Sequence, residues 1–218
     1  MNGQATSSMN WALQVLLQVL VWVGPAASKY IDQLVNRLGG NQDAYEVLDY
    51  KASLEVLDVK GTRAVYTKRE RIRFIRDHIA CFYDYGWGTG DAFASHRVSP
   101  GRVIERRQVG PRYRSLVVLP EPQNKGDEMT LEVRRLVREG LIDKRNWLEA
   151  EVNHTMQHLK LSVTLPASRK VLAARFIKRH EQQEAPLAIR WTANSRQHLV
   201  ASVIKPRKGD LYTLEWDW

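Results

Sequence analysis

Arginine is the residue that gives this sequence its chemistry. Between Lys60 and Arg114, thirteen basic residues stand against five acidic ones, which accounts for eight of the nine excess positive charges of the 218-residue chain. Arg69, Arg71 and Arg73 recur at period 2, and Arg106, Arg107, Arg112 and Arg114 follow with Tyr113 among them. A guanidinium presents a planar fork that matches the oxygens of a phosphate or carboxylate. Seven of them with interleaved tyrosines therefore point to an anionic partner: nucleic acid, a nucleotide signal or lipid headgroups. Tyr83, Tyr85 and Trp87 add stacking surfaces nearby in the chain. The bland alternative is a solvated strand face, partly neutralised by salt bridges. The chain has no helix-turn-helix pattern, aromatic RNA-binding signature or zinc finger. That favours a membrane surface or a small anionic ligand over sequence-specific DNA.

Other candidate chemistry is thinner. His154 and His158 have the i, i+4 spacing of a metal pair, but that spacing ligates only on a helix, and the surrounding alternation reads as strand. Gly86-Trp87-Gly88-Thr89-Gly90 is glycine-rich, yet no lysine and no helical pattern follow it, so it reads as a sharp aromatic turn. The single cysteine, Cys81, lies in the apolar run Ile79-Ala80-Cys81-Phe82 three residues from His78, and buried filler is the expectation. One cysteine excludes a disulfide framework within the chain and fits a reducing compartment. No catalytic motif, metal site or cofactor signature is present, so the expected class is a non-enzymatic protein.

The elements that must position the arginines follow a strong asymmetry. Residues 1–28 contain no Asp, Glu, Lys, Arg or His. Trp11 to Val23 is interrupted only by Gln14 and Gln18, which with Asn10 form an i, i+4, i+8 polar stripe on an otherwise apolar helix. Trp11 and Trp22 sit near its two ends, as interfacial aromatics do. A hydrophobic helix is expected over 9–24, broken by Gly24-Pro25, and an amphipathic one over 29–38, stopped by Gly39-Gly40. The uncharged flanks bring the first helix to about 30 Å, the thickness of a hydrocarbon core. Three readings compete for it: insertion in membrane or self-association through the amide stripe, a core helix lying on a sheet, and a signal peptide that lacks its basic n-region. In the first reading the helix meets membrane lipid, a partner protein or sister copies, and the chain is a homo-oligomer held at the cytoplasmic face of the membrane or cytoplasmic until activated.

From residue 41 the pattern is β. Tyr50, Ala52, Leu54 and Val56 alternate with polar residues, Asp58 to Thr62 reads as a turn, and Ala64 to Ile75 as the partner strand. Trp147 to Leu165 reads as the most regular hairpin, turning at Asn153-His154-Thr155. Short strands are expected near Ser115–Leu119 (stopped by Pro120), 171–177, 187–192 and 199–204. Tyr212, Leu214, Trp216 and Trp218 share one face of a docked C-terminal strand. Met129 to Arg138 is open between strand and short helix. The expected body is an antiparallel β-sandwich or barrel, 41–218, with a division into two lobes near 120–127 as an option. The layout resembles small membrane-acting effectors of bacterial conflict systems in architecture, which implies a membrane-associated antiviral effector with its β domain as sensor or scaffold. The alternative is a soluble basic β module that binds nucleic acid or an anionic nucleotide.

Overall fold

Alternation of Tyr50, Ala52, Leu54 and Val56 with Lys51, Ser53 and Glu55 produces β1 (Tyr45–Val56), buried on the first set and exposed on the second. In the computed structural model, which describes residues 44–192 and 194–218, no helix occurs among these residues. Asp58 closes the turn that follows: its carboxylate accepts the Lys60 and Thr62 backbone N–H groups at 2.9 and 3.1 Å and the Thr62 hydroxyl at 2.9 Å. Gly61 completes the turn at φ 71°, where a Cβ would lie 2.0 Å from the Leu141 carbonyl oxygen. The chain continues through β2 (Arg63–Phe74), β3 (Ile79–Gly86), β4 (Asp91–Ser99), β5 (Arg102–Val109), β6 (Arg112–Gln123) and β7 (Glu128–Arg138). Then come β8 (Arg145–Glu151), β9 (His158–Thr164), β10 (Ala173–Lys178), β11 (Gln183–Ala185), β12 (Leu187–Trp191), β13 (Gln197–Ile204) and β14 (Leu211–Asp217).

These strands form a mainly β protein with three sheets. Seven strands run in the order β12-β13-β9-β1-β2-β7-β4, four in the order β11-β10-β14-β8, and three in the order β3-β6-β5. Two compact units divide the described residues. Unit 1 takes those up to Glu46 with Arg73–Trp87 and Val98–Met129, and unit 2 takes Val47–Ile72, Gly88–Arg97 and Thr130–Trp218. The three-stranded sheet belongs to unit 1, where Tyr45 meets Phe74 and Phe82 edge-on, with ring centroids 6.2 and 5.9 Å apart. The core of unit 2 is drawn from Leu159, Leu161, Val163 and Leu199 of one sheet and Phe176, Leu214 and Trp216 of the other, each at most 1% exposed. Each such side chain contributes about 1.5–3 kcal/mol by leaving water.

The C-terminal strand docks as its pattern predicts. Tyr212, Leu214, Trp216 and Trp218 are all buried, and Trp218 anchors itself by donating Nε1–H to the Asp143 carbonyl at 3.0 Å. The other face of β14 is buried too, but through polar pairing. Glu215 takes Arg179 Nη2 at 2.6 Å and Arg175 Nη2 at 2.7 Å, and Thr213 donates to Glu149 Oε1 at 2.9 Å.

Three expectations are corrected. Trp147 to Leu165 is not a hairpin. β8 pairs with β14, whereas β9 pairs with β13 and, in parallel, with β1. After Val152 the chain crosses onto β1, with Val47 N–H donating to Thr155 O at 2.8 Å and Gln157 N–H to Val47 O at 2.9 Å. Alternation fixes which face of a strand is buried and says nothing of its partner. The parallel β1–β9 pair also means that the sheets are not wholly antiparallel. Finally, β6 does not stop at Pro120. It runs through Pro120 and Pro122 to Gln123 beside a register irregularity in its pairing with β3, the kind of site where a strand tolerates proline. Met129–Arg138 resolves as strand β7, and Pro120–Asp127 is the end of β6 with its turn. The expected helices at 9–24 and 29–38 lie outside the described residues.

Candidate functional site

In unit 1, β6 is the middle strand of the three-stranded sheet, and its register decides which basic residues meet aromatic ones. Tyr85 lies opposite Arg114 on one side, and Arg107 lies opposite Arg114 on the other. Directly opposed residues share a face, so Tyr83, Tyr85, Arg112, Arg114, Glu105 and Arg107 project together. The Arg114 guanidinium sits 4.3 Å from the Tyr83 ring centroid and that of Arg112 sits 5.1 Å from Trp87. Tyr83 and Tyr85 are 6.4 Å apart. On the opposite face Arg106 lies 6.0 Å from Tyr113. Each stacked pair is worth about 0.5–1 kcal/mol at an exposed site and fixes the plane of the guanidinium. Arg107 is held by the Glu105 carboxylate, with Nε–H donating at 2.8 Å. Between Arg102 and Arg114 there are five arginines and one acidic residue, so this sheet edge is strongly positive. The β5–β6 tip is a two-residue turn, Gly110-Pro111, with Gly110 at φ 60°. The positive φ before a proline is the type II′ arrangement.

The other predicted arginines behave differently. Arg69 and Arg71 are exposed on β2, in phase with each other and opposite to buried Glu70 and Ile72, as period 2 requires. They belong to unit 2, whereas Arg73 belongs to unit 1. Arg73 is a structural clasp: Nη2 meets Glu128 at 2.6 Å and Nη1 meets Glu46 at 3.2 Å. Its hydrogen bond to Glu128 raises its pKa further. The sequence reading of one continuous basic site thus resolves into a stacked group on β5–β6, an exposed pair on β2 and a clasp. Asn10, Trp11, Gln14, Gln18 and Trp22 lie outside the described residues.

Unit 2 contains a polar cluster that the sequence reading missed. Lys68 Nζ and the Glu70 carboxylate pair at 3.0 Å, with side chains only 12% and 8% exposed. Arg135, 5% exposed, places its guanidinium 4.4 Å from the Phe93 ring centroid and 5.1 Å from that of Tyr66. Tyr50 completes the group: burial pushes its phenol well above the ordinary value, the neighbouring Tyr66 and Glu70 add to the rise, and Lys68 opposes it. The only signal available was that Tyr66, Lys68 and Glu70 fall in phase with Ile72 and Phe74, the buried side of β2.

The direction of the Tyr50 shift predicts an alkaline limit on stability. The unfolded chain releases this proton near pH 10, while the folded chain keeps it. The unfolded state then binds fewer protons, so stability is full below about pH 10 and falls as pH climbs towards the folded value. Burial raises Tyr212 in the same direction, followed by its hydrogen bond to Asp210. Urea midpoints measured from about pH 9 to pH 11 should decline, and Tyr50→Phe should flatten part of that decline. An unchanged slope in the variant would assign the alkaline loss elsewhere.

No protein-family model matches the chain, and no curated protein matches it in sequence. Solved structures do share its fold. A presumed protease from Parabacteroides distasonis superposes with a TM-score of 0.51 at 8% identity, over 80% of this chain and 40% of that one. The M1 zinc metallopeptidase of Deinococcus radiodurans gives 0.46 at 13% identity, over 78% of this chain and 42% of that one. The present chain therefore spans less than half the length of these proteins, and the likeness is one of fold alone.

Among the described residues, no group of three or more His, Cys, Asp or Glu side chains is placed to hold a metal ion. His158 lies on strand β9, so the His154/His158 pair lacks the helix that its spacing needs. Cys81 is fully buried, and burial pushes its thiol up to about 12, leaving almost no thiolate at neutral pH. The glycine-rich turn is explained within unit 2 by packing. Thr89 Oγ1 donates to the Gly140 carbonyl at 2.6 Å, and a Cβ on Gly90, at φ 63°, would lie 2.4 Å from the Arg138 carbonyl oxygen.

Proposed function

We propose that this chain is a non-enzymatic binding protein that meets a phosphate-bearing partner through the three-stranded sheet of unit 1. The observation that carries the proposal is the stacking of Arg114 on Tyr83 and Arg112 on Trp87, on an edge with five arginines and one acidic residue. Arginines held over aromatic rings are preorganised for phosphate oxygens, and the rings extend the platform for a base or sugar. The ligand class is a nucleotide or a single-stranded nucleic acid, read without sequence preference.

The test is fluorescence anisotropy of a labelled oligothymidylate against the full chain at increasing salt. Four arginines that each displace one counterion give a slope of about −3 in log affinity against log salt. Arg112→Glu/Arg114→Glu, which removes both ring-stacked guanidiniums, should abolish most of the binding while leaving the circular dichroism unchanged. Salt-insensitive binding, or full binding by that variant, rejects the proposal.

A second reading is favoured by the absence of charge in residues 1–28. It makes the chain a membrane-associated effector with a hydrophobic helix at 9–24, an amphipathic helix at 29–38 and a sandwich-like or barrel-like body, self-associating through Asn10, Gln14 and Gln18. In that reading phosphatidylglycerol vesicles replace the oligonucleotide as the partner in the same experiment, and Trp11→Asp/Trp22→Asp releases the chain from them.

A further inference from the structure

The seven-stranded sheet ends at β12, and nothing among the described residues pairs with its outer side. The backbone groups that face outward can be named. Thr192 N–H donates to Arg196 O at 2.8 Å, and Arg190 pairs with His198 in the same register. Hydrogen bonding alternates along an antiparallel pair, so Ala188 and Arg190 direct N–H and C=O towards β13. Leu187, Ile189 and Trp191 direct theirs away from it, to the open edge.

The side chains of the same three residues matter as much. They lie in phase with Ala201, Leu199 and Gln197 of β13, on the face whose Leu199 and Ala201 are 0% and 2% exposed. At β12 the cover stops, and Ile189 and Trp191 are 49% and 60% exposed. The opposite face is basic. Arg190 lies across from His198, and Lys160 of β9 is on the same side of the sheet. Burial, then Lys160 and Arg190, hold His198 below its ordinary pKa. Arg190 and Lys160 are exposed and have no carboxylate partner among the described residues.

Soluble proteins usually guard a sheet edge with charges, proline, bulges or brevity. Two other edges follow that rule: β11 is three residues long, and β5 carries Arg102, Arg106 and Arg107. β12 has Arg190 on one face and leaves the other face apolar. Its outward backbone, an apolar row on one face and a cation on the other are the elements of strand addition.

We propose that β12 is a docking edge for an extended peptide segment of a partner protein in which apolar and acidic residues alternate. The incoming strand pairs with the backbone of Leu187, Ile189 and Trp191, lays its apolar side chains beside Ile189 and Trp191, and turns its carboxylates to Arg190 and Lys160. This site lies wholly within unit 2 and stands independently of the phosphate-binding reading.

A fluorescein-labelled octapeptide of alternating valine and glutamate, titrated with the full chain, tests the proposal. Saturable anisotropy is expected. N-methylation of the alternate peptide bonds whose N–H groups face β12 should weaken binding at least tenfold by removing the peptide's donors to the β12 carbonyls. Ile189→Lys/Trp191→Lys, at exposed positions that leave the fold intact by circular dichroism, should weaken it equally. Arg190→Glu should shift the preference to alternating valine and lysine. Undiminished binding of the N-methylated peptide, or no binding of the parent, overturns the proposal. So does a concentration-dependent dimer that the Ile189→Lys/Trp191→Lys variant abolishes, which would make a second copy of this chain the occupant.

Discussion

Replacing Trp216 by alanine is expected to cost about 3–5 kcal/mol, the range for removing a large aromatic from a packed core. Trp216 heads the fully buried side chains at 1% exposure. It sits on the middle strand β14 between Ala174 of β10 and Asn146 of β8. Trp218 meets it edge-on at 6.4 Å. Two ordered neighbouring strands cannot collapse into the space left by an indole, so most of the cavity cost persists. Against a typical total of about 5–15 kcal/mol, that loss brings the protein close to its unfolding threshold. Trp216→Phe separates packing from polarity. The indole Nε1 is buried with no hydrogen-bond acceptor among the described residues, so phenylalanine removes a desolvated donor together with the volume. Its cost should fall below half that of alanine. Urea unfolding checks both, with the midpoint falling and the slope against denaturant unchanged. A loss under about 1 kcal/mol for Trp216→Ala would show that β14 is not a central support.

That face of β14 was legible because four large residues at period 2 permit only one burial. The same reasoning found the exposed Arg69 and Arg71 and the turn held by Asp58. It failed where pairing partners decide the outcome. β8 and β9 both alternate cleanly and are joined by few residues, yet they belong to different sheets because Val47 captures Thr155 and Gln157. The stacking of Arg114 on Tyr83 was equally hidden. The two residues are 31 positions apart, and only the Tyr85–Arg114 register makes them diagonal neighbours. The partners of Arg73 were hidden for a related reason: Glu46 and Glu128, which clasp it, come from two other strands. A basic residue looks the same in sequence whether it faces a ligand or a distant carboxylate.

The polar cluster of unit 2 yields the sharpest mutational test. Lys68→Met is expected to destabilise the protein by about 3–5 kcal/mol, because it leaves the Glu70 carboxylate buried without the ammonium that compensates it. Glu70 is 6% exposed and pairs with Lys68 Nζ at 3.0 Å, so water cannot readily replace the missing charge. The double variant Lys68→Met/Glu70→Leu should recover most of that loss. Apolar side chains of similar volume carry no desolvation penalty, and replacing both members of a buried pair is often neutral or stabilising. Chemical denaturation of wild type, both single variants and the double variant forms a closed cycle, with an expected coupling of at least about 2 kcal/mol. A double variant no more stable than Lys68→Met would mean that the cost comes from lost packing of the lysine stem and not from the stranded carboxylate.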